Sequence, residues 1–239
     1  MNQKLDVGGT LSRIFSIYGE QAGTLLPVAF GLFLIVAIIN GLLATSFLLG
    51  LIGLAVSIVA GTLYQGMVVG LVSDVQDGRR DFSAGDLIEA AWPVVLPLIG
   101  AGILAGIGIA IGFLLIIIPG LFLLTIWSVI APVIVVERSG AVDAFGRSRK
   151  LVKGNGWQVF GVIVVVFVIT AVIGAVLGLI GAGVSNSFAM RALFNLIAST
   201  ITAPIGALAA STIYFGLVPL QGAAPVAPPP DGAPPPMTV

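Results

Sequence analysis

The side chains with chemical reach gather in two places. Asp74, Asp77, Asp81, Asp86 and Glu89 lie beside Arg79 and Arg80, and Arg138, Arg147, Arg149, Lys150 and Lys153 crowd a second short stretch. Clustered carboxylates suit a divalent cation or general-acid work. The spacing here matches no Ca²⁺-binding loop, and Asp77-Gly78-Arg79-Arg80 reads as a helix stop with Gly78 just past the end. The acidic cluster therefore reads as a solvated loop. The chain has no Cys and no His, which removes thiolate and imidazole metal sites, Cys nucleophiles and His general bases. It also has no Gly-x-x-x-x-Gly-Lys-Ser/Thr stretch for a phosphate-cradling loop. No catalytic residue, metal or cofactor is assigned, and the chain reads as a non-enzyme.

The basic stretch has a clearer pattern. Ala141, Ala144, Phe145, Ser148, Leu151 and Val152 share one helical face. Arg147, Arg149, Lys150 and Lys153 lie away from that face or at its edge, and Asp143 is spaced to pair with Arg147. A helix over 141–153 lying on the cytoplasmic leaflet would draw anionic headgroups, at roughly 1 kcal/mol per cation. The plainer alternative is that these charges only fix topology. Arg147, Arg149, Lys150 and Lys153 are the candidate lipid contacts.

The elements that position these residues follow from composition. Of 239 residues, 58% are hydrophobic and 8% charged, against roughly 25% charged in an ordinary soluble domain. So few charges cannot cover a soluble surface, and lipid must solvate most of it. The net charge of zero gives no basic surface for nucleic acid. Residues 21–73, 90–136, 154–190 and 192–230 carry no charge at all. A crossing takes about 20 residues, so the first two stretches hold two helices each.

The spacing predicts an all-α bundle of six spans, near 23–43, 49–73, 93–116, 120–137, 157–183 and 192–218. The first stretch breaks near Ala44-Thr45-Ser46 and the second at the turn dipeptide Pro119-Gly120. Runs such as Val162 to Ile169 show no alternation, against a β-barrel. Residues 1–20 are too charged to be a secretory leader. Of the ten Lys and Arg, all but Arg191 fall on one side of six spans, which places both ends in the cytoplasm of a bacterial inner-membrane protein.

Short amphipathic helices are expected near 10–18, 83–91 and 141–153. The first has Leu11, Ile14, Phe15 and Tyr18 on its apolar face. The second starts with a Ser83 cap and a Phe82–Leu87 staple. One interfacial helix and two spans, three times over, would make a repeat across a single domain of residues 1–220. Residues 221–239 form a disordered, Pro-rich cytoplasmic tail.

Within the spans, Gly102, Gly106, Gly108, Gly112, Gly174 and Gly178 recur at helical spacing and let backbones approach. Packing inside one bundle is the first reading, and a homo-oligomer the second. Pro132 and Pro204 are expected to kink their helices. Asn40, Gln65, Thr125, Ser128, Asn195, Thr200 and Thr202 are the polar side chains at depth, suited to interhelical hydrogen bonds. None is ionisable, against ion-coupled transport.

One stretch carries a resemblance. Pro119-Gly120-Leu121-Phe122-Leu123, Trp127, Ala131-Pro132-Val133, Glu137, Ala144-Phe145, Arg147-Ser148, Leu151-Val152-Lys153-Gly154 and Trp157, with Phe15-Ser16-Ile17-Tyr18 before the first span, follow a known pattern. It resembles bacterial six-helix inner-membrane proteins related to the glycerophosphoryl diester phosphodiesterase membrane domain and the YciC-like uncharacterised family. Some members of that family carry a soluble phosphodiesterase barrel that uses His, which this chain lacks. The resemblance implies membrane architecture without hydrolysis. Together these readings point to a module that organises membrane lipids, or a co-encoded partner protein, at the cytoplasmic leaflet. The alternative is a facilitator for a small or lipidic solute, which would need a polar path between helices.

Overall fold

The computed structural model describes residues 4–43, 46–76, 85, 92–184 and 187–221. Every regular element among them is helical: α1 Val7–Glu20, α2 Ala22–Leu43, α3 Phe47–Gln76, α4 Val95–Leu115, α5 Ile117–Ile126, α6 Ile130–Glu137, α7 Ala141–Val152, α8 Gly156–Val184 and α9 Phe188–Leu217. Short 3-10 turns, Trp92–Val94 and Pro219–Gln221, precede α4 and follow α9. Six segments are long and apolar enough to cross a membrane: Ala22–Leu43, Phe47–Gln76, Trp92–Leu115, Ile117–Glu137, Gly156–Val184 and Ala189–Gln221. They match the six spans expected from the charge-free stretches. The acidic side chains Asp77, Asp81, Asp86 and Glu89, with Arg79, Arg80, the helix expected near 83–91 and residues 222–239, lie outside the described residues. In chain order a short helix precedes two long ones in α1–α2–α3 and in α7–α8–α9.

Three spans are much longer than a hydrocarbon core. Helices α3, α8 and α9 have 29 or 30 residues, about 45 Å at 1.5 Å per residue, against a core of about 30 Å. Packing is uneven along these helices. Tyr64, Val68, Val69, Leu71 and Val72 of α3 are buried, as are Leu208, Ile213 and Leu217 of α9 and Val159 and Val162 of α8. Toward the α2–α3 and α4–α5 turns large side chains stand open: Leu42 is 72% exposed, Phe47 81% and Leu114 87%. Exposed leucine costs nothing in lipid, which is as apolar as the side chain. At the better-packed end α1, α6 and α7 close around the core.

The second hairpin turns earlier than the Pro-Gly dipeptide suggested. The break is Ile116, in extended conformation (φ −163°, ψ 151°), and Pro119-Gly120 lies inside α5. Pro119 is the third residue of that helix, where a missing N–H costs no intrahelical bond. Gly120 lets the chains touch: a Cβ there would stand 2.5 Å from the Phe113 ring.

Helix α1 keeps most of its expected face: Ile14 is buried and Leu11 and Tyr18 pack against the core, joined by Thr10 and Ile17, while Phe15 is exposed. It stands alongside α9 instead of lying across it. Leu5 packs on Gly216, and the Tyr18 hydroxyl donates to the Ile201 carbonyl (3.2 Å), about 22 Å further along α9 at helical rise. Burial pushes the Tyr18 phenol above its ordinary value, so it remains a donor through the neutral range.

Candidate functional site

The basic helix is built on a fault in the fourth span. Pro132 has no N–H for the Ser128 carbonyl, and its ring crowds that oxygen. The helix gives way just before it: α5 ends at Ile126, residues 127–129 form a turn, and α6 restarts at Ile130. The Ile130 N–H then bonds to the Trp127 carbonyl (3.3 Å). The Ile126 carbonyl instead accepts the Ser148 hydroxyl (2.7 Å) of α7. Trp127 meets Phe145 edge-on, with ring centroids 4.9 Å apart. Residues Ile130 to Val135 of α6 are all buried, and α7 lies over them. By contrast, α9 remains helical through Pro204.

Ala144, Ser148, Leu151 and Val152 are buried, with Ala141 and Phe145 packed against the core. This is the face the helical spacing selected. Its ends are fastened separately. Arg138 closes α6 in the left-handed region (φ 52°) and Gly140 opens α7. At the far end the Gln221 amide donates to the carbonyls of Lys150 (2.7 Å) and Leu151 (3.1 Å), satisfying orphan acceptors of the last turn. Gly154 (φ 90°) makes the turn into α8, a conformation only glycine adopts without strain.

Asn155 follows, and its side-chain oxygen accepts the Leu5 N–H (2.9 Å) with both residues buried. The N-terminal segment, the α7–α8 turn and the end of α9 therefore meet at one end of the bundle. Asn155→Ala should cost about 1–2 kcal/mol by stranding that N–H. Hydrogen exchange at the Leu5 amide should accelerate; unchanged protection there would contradict the assignment.

The four candidate cations divide. Arg147 is turned inward. Its Nε donates to both oxygens of Glu137 (2.8 and 3.0 Å), and the Tyr214 hydroxyl donates to Glu137 Oε1 (3.0 Å). The partner expected at Asp143 is thus corrected to Glu137, while the Arg147 side chain keeps 26% of its surface exposed. Glu137 ends the buried α6 and is only 13% exposed, so its carboxylate needs a partner more than the exposed Asp143 does. Arg149, Lys150 and Lys153 are exposed, with Arg149 and Lys150 in the last turn of α7, where cations complement the helix dipole.

The glycine positions divide too. A Cβ on Gly102 would stand 3.0 Å from Thr62, on Gly108 2.7 Å from the Trp127 ring, and on Gly112 3.0 Å from the Gly120 Cα. On Gly106, Gly174 or Gly178 it would meet nothing within 4 Å, so those three are not points of close helix approach within this chain. Gly181, against Phe194, is one that spacing missed. Of the polar side chains at depth, Asn40 donates to Ser57 across α2 and α3 (2.9 Å). Thr125, Thr200 and Thr202 bond back to carbonyls of their own helices.

Sequence reasoning missed the Glu137–Tyr214 contact, the Ser148 bond, the Asn155 anchor and the Gln221 clamp. Only Ser148 left a signal, as a polar residue inside an apolar face.

No solved structure matches the chain. A stretch of 103 residues is 35% identical to a UPF0259 membrane protein of Pectobacterium carotovorum subsp. carotovorum (strain PC1). That match spans 43% of this chain and 41% of the relative. Residues 40–224 match the family described as "Domain of unknown function (DUF7847)". With six apolar helices and a match over most of its length, the chain is a multi-pass bacterial membrane protein that belongs to the DUF7847 family.

Proposed function

We propose that this protein is a non-catalytic membrane module whose α7 helix holds anionic lipid headgroups at the cytoplasmic leaflet. The observation that supports it is the row Arg149, Lys150 and Lys153, exposed on a helix whose opposite face is fixed in the bundle. A row fastened in this way does not have to be ordered again when a lipid arrives. The sidedness rests on the excess of Lys and Arg in the segments that fall on one side of the six spans. Resemblance to the membrane domain that accompanies glycerophosphoryl diester phosphodiesterases fits a role beside lipid.

The test is native mass spectrometry of the full-length protein taken from vesicles of neutral lipid or of neutral lipid with phosphatidylglycerol. The wild type should retain phosphatidylglycerol selectively. Arg149→Gln, Lys150→Gln and Lys153→Gln combined should lose about 3 kcal/mol at roughly 1 kcal/mol per cation, on the order of a hundredfold in affinity. Equal retention of both lipids by the wild type would defeat the reading.

A further inference from the structure

Three turns join the spans at the end away from α7, and one is unlike the other two. Between α2 and α3 the chain reads Ala44-Thr45-Ser46, and between α8 and α9 Ser185-Asn186-Ser187. Each of these ends in a serine whose hydroxyl accepts a backbone N–H of the following helix, Leu49 on Ser46 and Met190 on Ser187 (3.3 Å each). Polar turns of this kind suit the headgroup layer, where water can meet the remaining orphan groups of the helix ends. Between α4 and α5 the chain reads Leu114-Leu115-Ile116-Ile117-Ile118, with no polar side chain. All five are exposed, from 63% at Ile116 to 87% at Leu114.

The backbone of this turn is also sparing with polar groups. Ile116 alone separates the two helices, and its N–H bonds to the Gly112 carbonyl (3.1 Å). No side chain caps α5. Pro119, third in that helix, has no N–H, so α5 begins with one orphan donor fewer than an ordinary helix. Reach points the same way. Trp92 and Trp157 open their spans and are both exposed, as tryptophans are at a headgroup layer. A Cβ on Gly100 would stand 3.8 Å from Ala141, so α4 begins at the end where α7 sits. At 1.5 Å per residue, Trp92 to Leu115 covers about 35 Å and Trp157 to Val184 about 40 Å. Measured from one headgroup layer, the α4–α5 tip stops about one helical turn short of the end of α8.

We propose that α4 and α5 form a re-entrant hairpin whose tip, Leu114 to Ile118, is embedded among the acyl chains of the leaflet away from α7 and does not emerge into water. In water this tip would be a bare apolar patch. In hydrocarbon its side chains are solvated and few backbone groups go unpaired. The occupant is lipid chain and not a second copy of the protein. Five consecutive exposed residues around a tip point in every direction, which a fluid can cover and one protein face cannot.

The protein has no cysteine, so single thiols report without background. Leu115→Cys and Ile117→Cys are compared with Ser46→Cys and Ser187→Cys in open membrane fragments, where a charged, impermeant maleimide reaches both faces. The thiols at the two serine turns should react. The two tip thiols should react more than about tenfold more slowly, because apolar surroundings suppress the thiolate that attacks the reagent. A nitroxide attached to the Ile117→Cys variant should be relaxed strongly by oxygen, which concentrates in hydrocarbon, and weakly by a nickel chelate, which stays in water. Tip thiols that react as fast as those at the serine turns would overturn the proposal by placing the tip in water. A nitroxide shielded from oxygen as well as nickel would overturn it too, by placing a second copy or another protein over the tip. Neither result touches the α7 reading, which concerns the opposite end of the bundle.

Discussion

Gly112→Val is expected to lower the stability of the bundle by about 3 kcal/mol, the upper end of what overpacking costs. A Cβ at position 112 would meet the Gly120 Cα at 3.0 Å, the Gly120 N at 3.1 Å and Leu123 Cδ1 at 3.1 Å. Two of these are backbone atoms and cannot move without opening the α4–α5 hairpin. That hairpin carries the Trp127 turn on which α7 is seated, so the damage reaches the basic row. Gly174→Val is the matched control, because a Cβ there meets nothing within 4 Å. It should change stability by less than about 0.5 kcal/mol, as a surface substitution does. Equilibrium unfolding in mixed micelles would measure both. Equal stability of the two variants would mean that α4 and α5 are not in backbone contact. If Gly174 and Gly178 serve a homo-oligomer, Gly174→Val would instead shift the oligomeric state seen by light scattering and leave the monomer's stability alone.

The second large effect is expected at Glu137. Three hydrogen bonds converge on its carboxylate, two from Arg147 and one from Tyr214. Arg147→Ala leaves a mostly buried carboxylate with only the tyrosine hydroxyl. Removing one partner of a fully buried pair costs about 3–5 kcal/mol, but the Arg147 side chain is 26% exposed. Solvent screening reduces the expected loss to roughly 2 kcal/mol. Glu137→Gln should cost less, because a neutral amide is cheaper to bury than a carboxylate. The double variant Glu137→Gln with Arg147→Ala should be less destabilised than the sum of the two single variants, since the charge left unpaired by one is removed by the other. Strict additivity in that cycle would show that the two side chains do not interact. Because the pair ties α6, α7 and α9 together, Arg147→Ala should also raise protease cleavage near Arg149 and Lys150.

The amino-acid sequence by itself determined where the spans are. Charge-free stretches of fixed length leave a chain little choice in a bilayer, since only a helix satisfies its own backbone there. The apolar face of α7 was equally legible, because helical periodicity acts along one element. Tertiary structure decided the rest. Sequence spacing offered Asp143 as the partner of Arg147, but the fold brought up Glu137, ten residues away, and Tyr214, 77 residues from Glu137. Pro119-Gly120 read as a turn, and became a helix start and a contact for Phe113. Gly112 and Gly174 belong to the same small-residue pattern, yet only one faces another backbone. Periodicity says which residues share a face; what that face meets depends on where distant helices cross. In lipid, where apolar surface can stay exposed without penalty, the pattern alone cannot tell a packed face from a bare one.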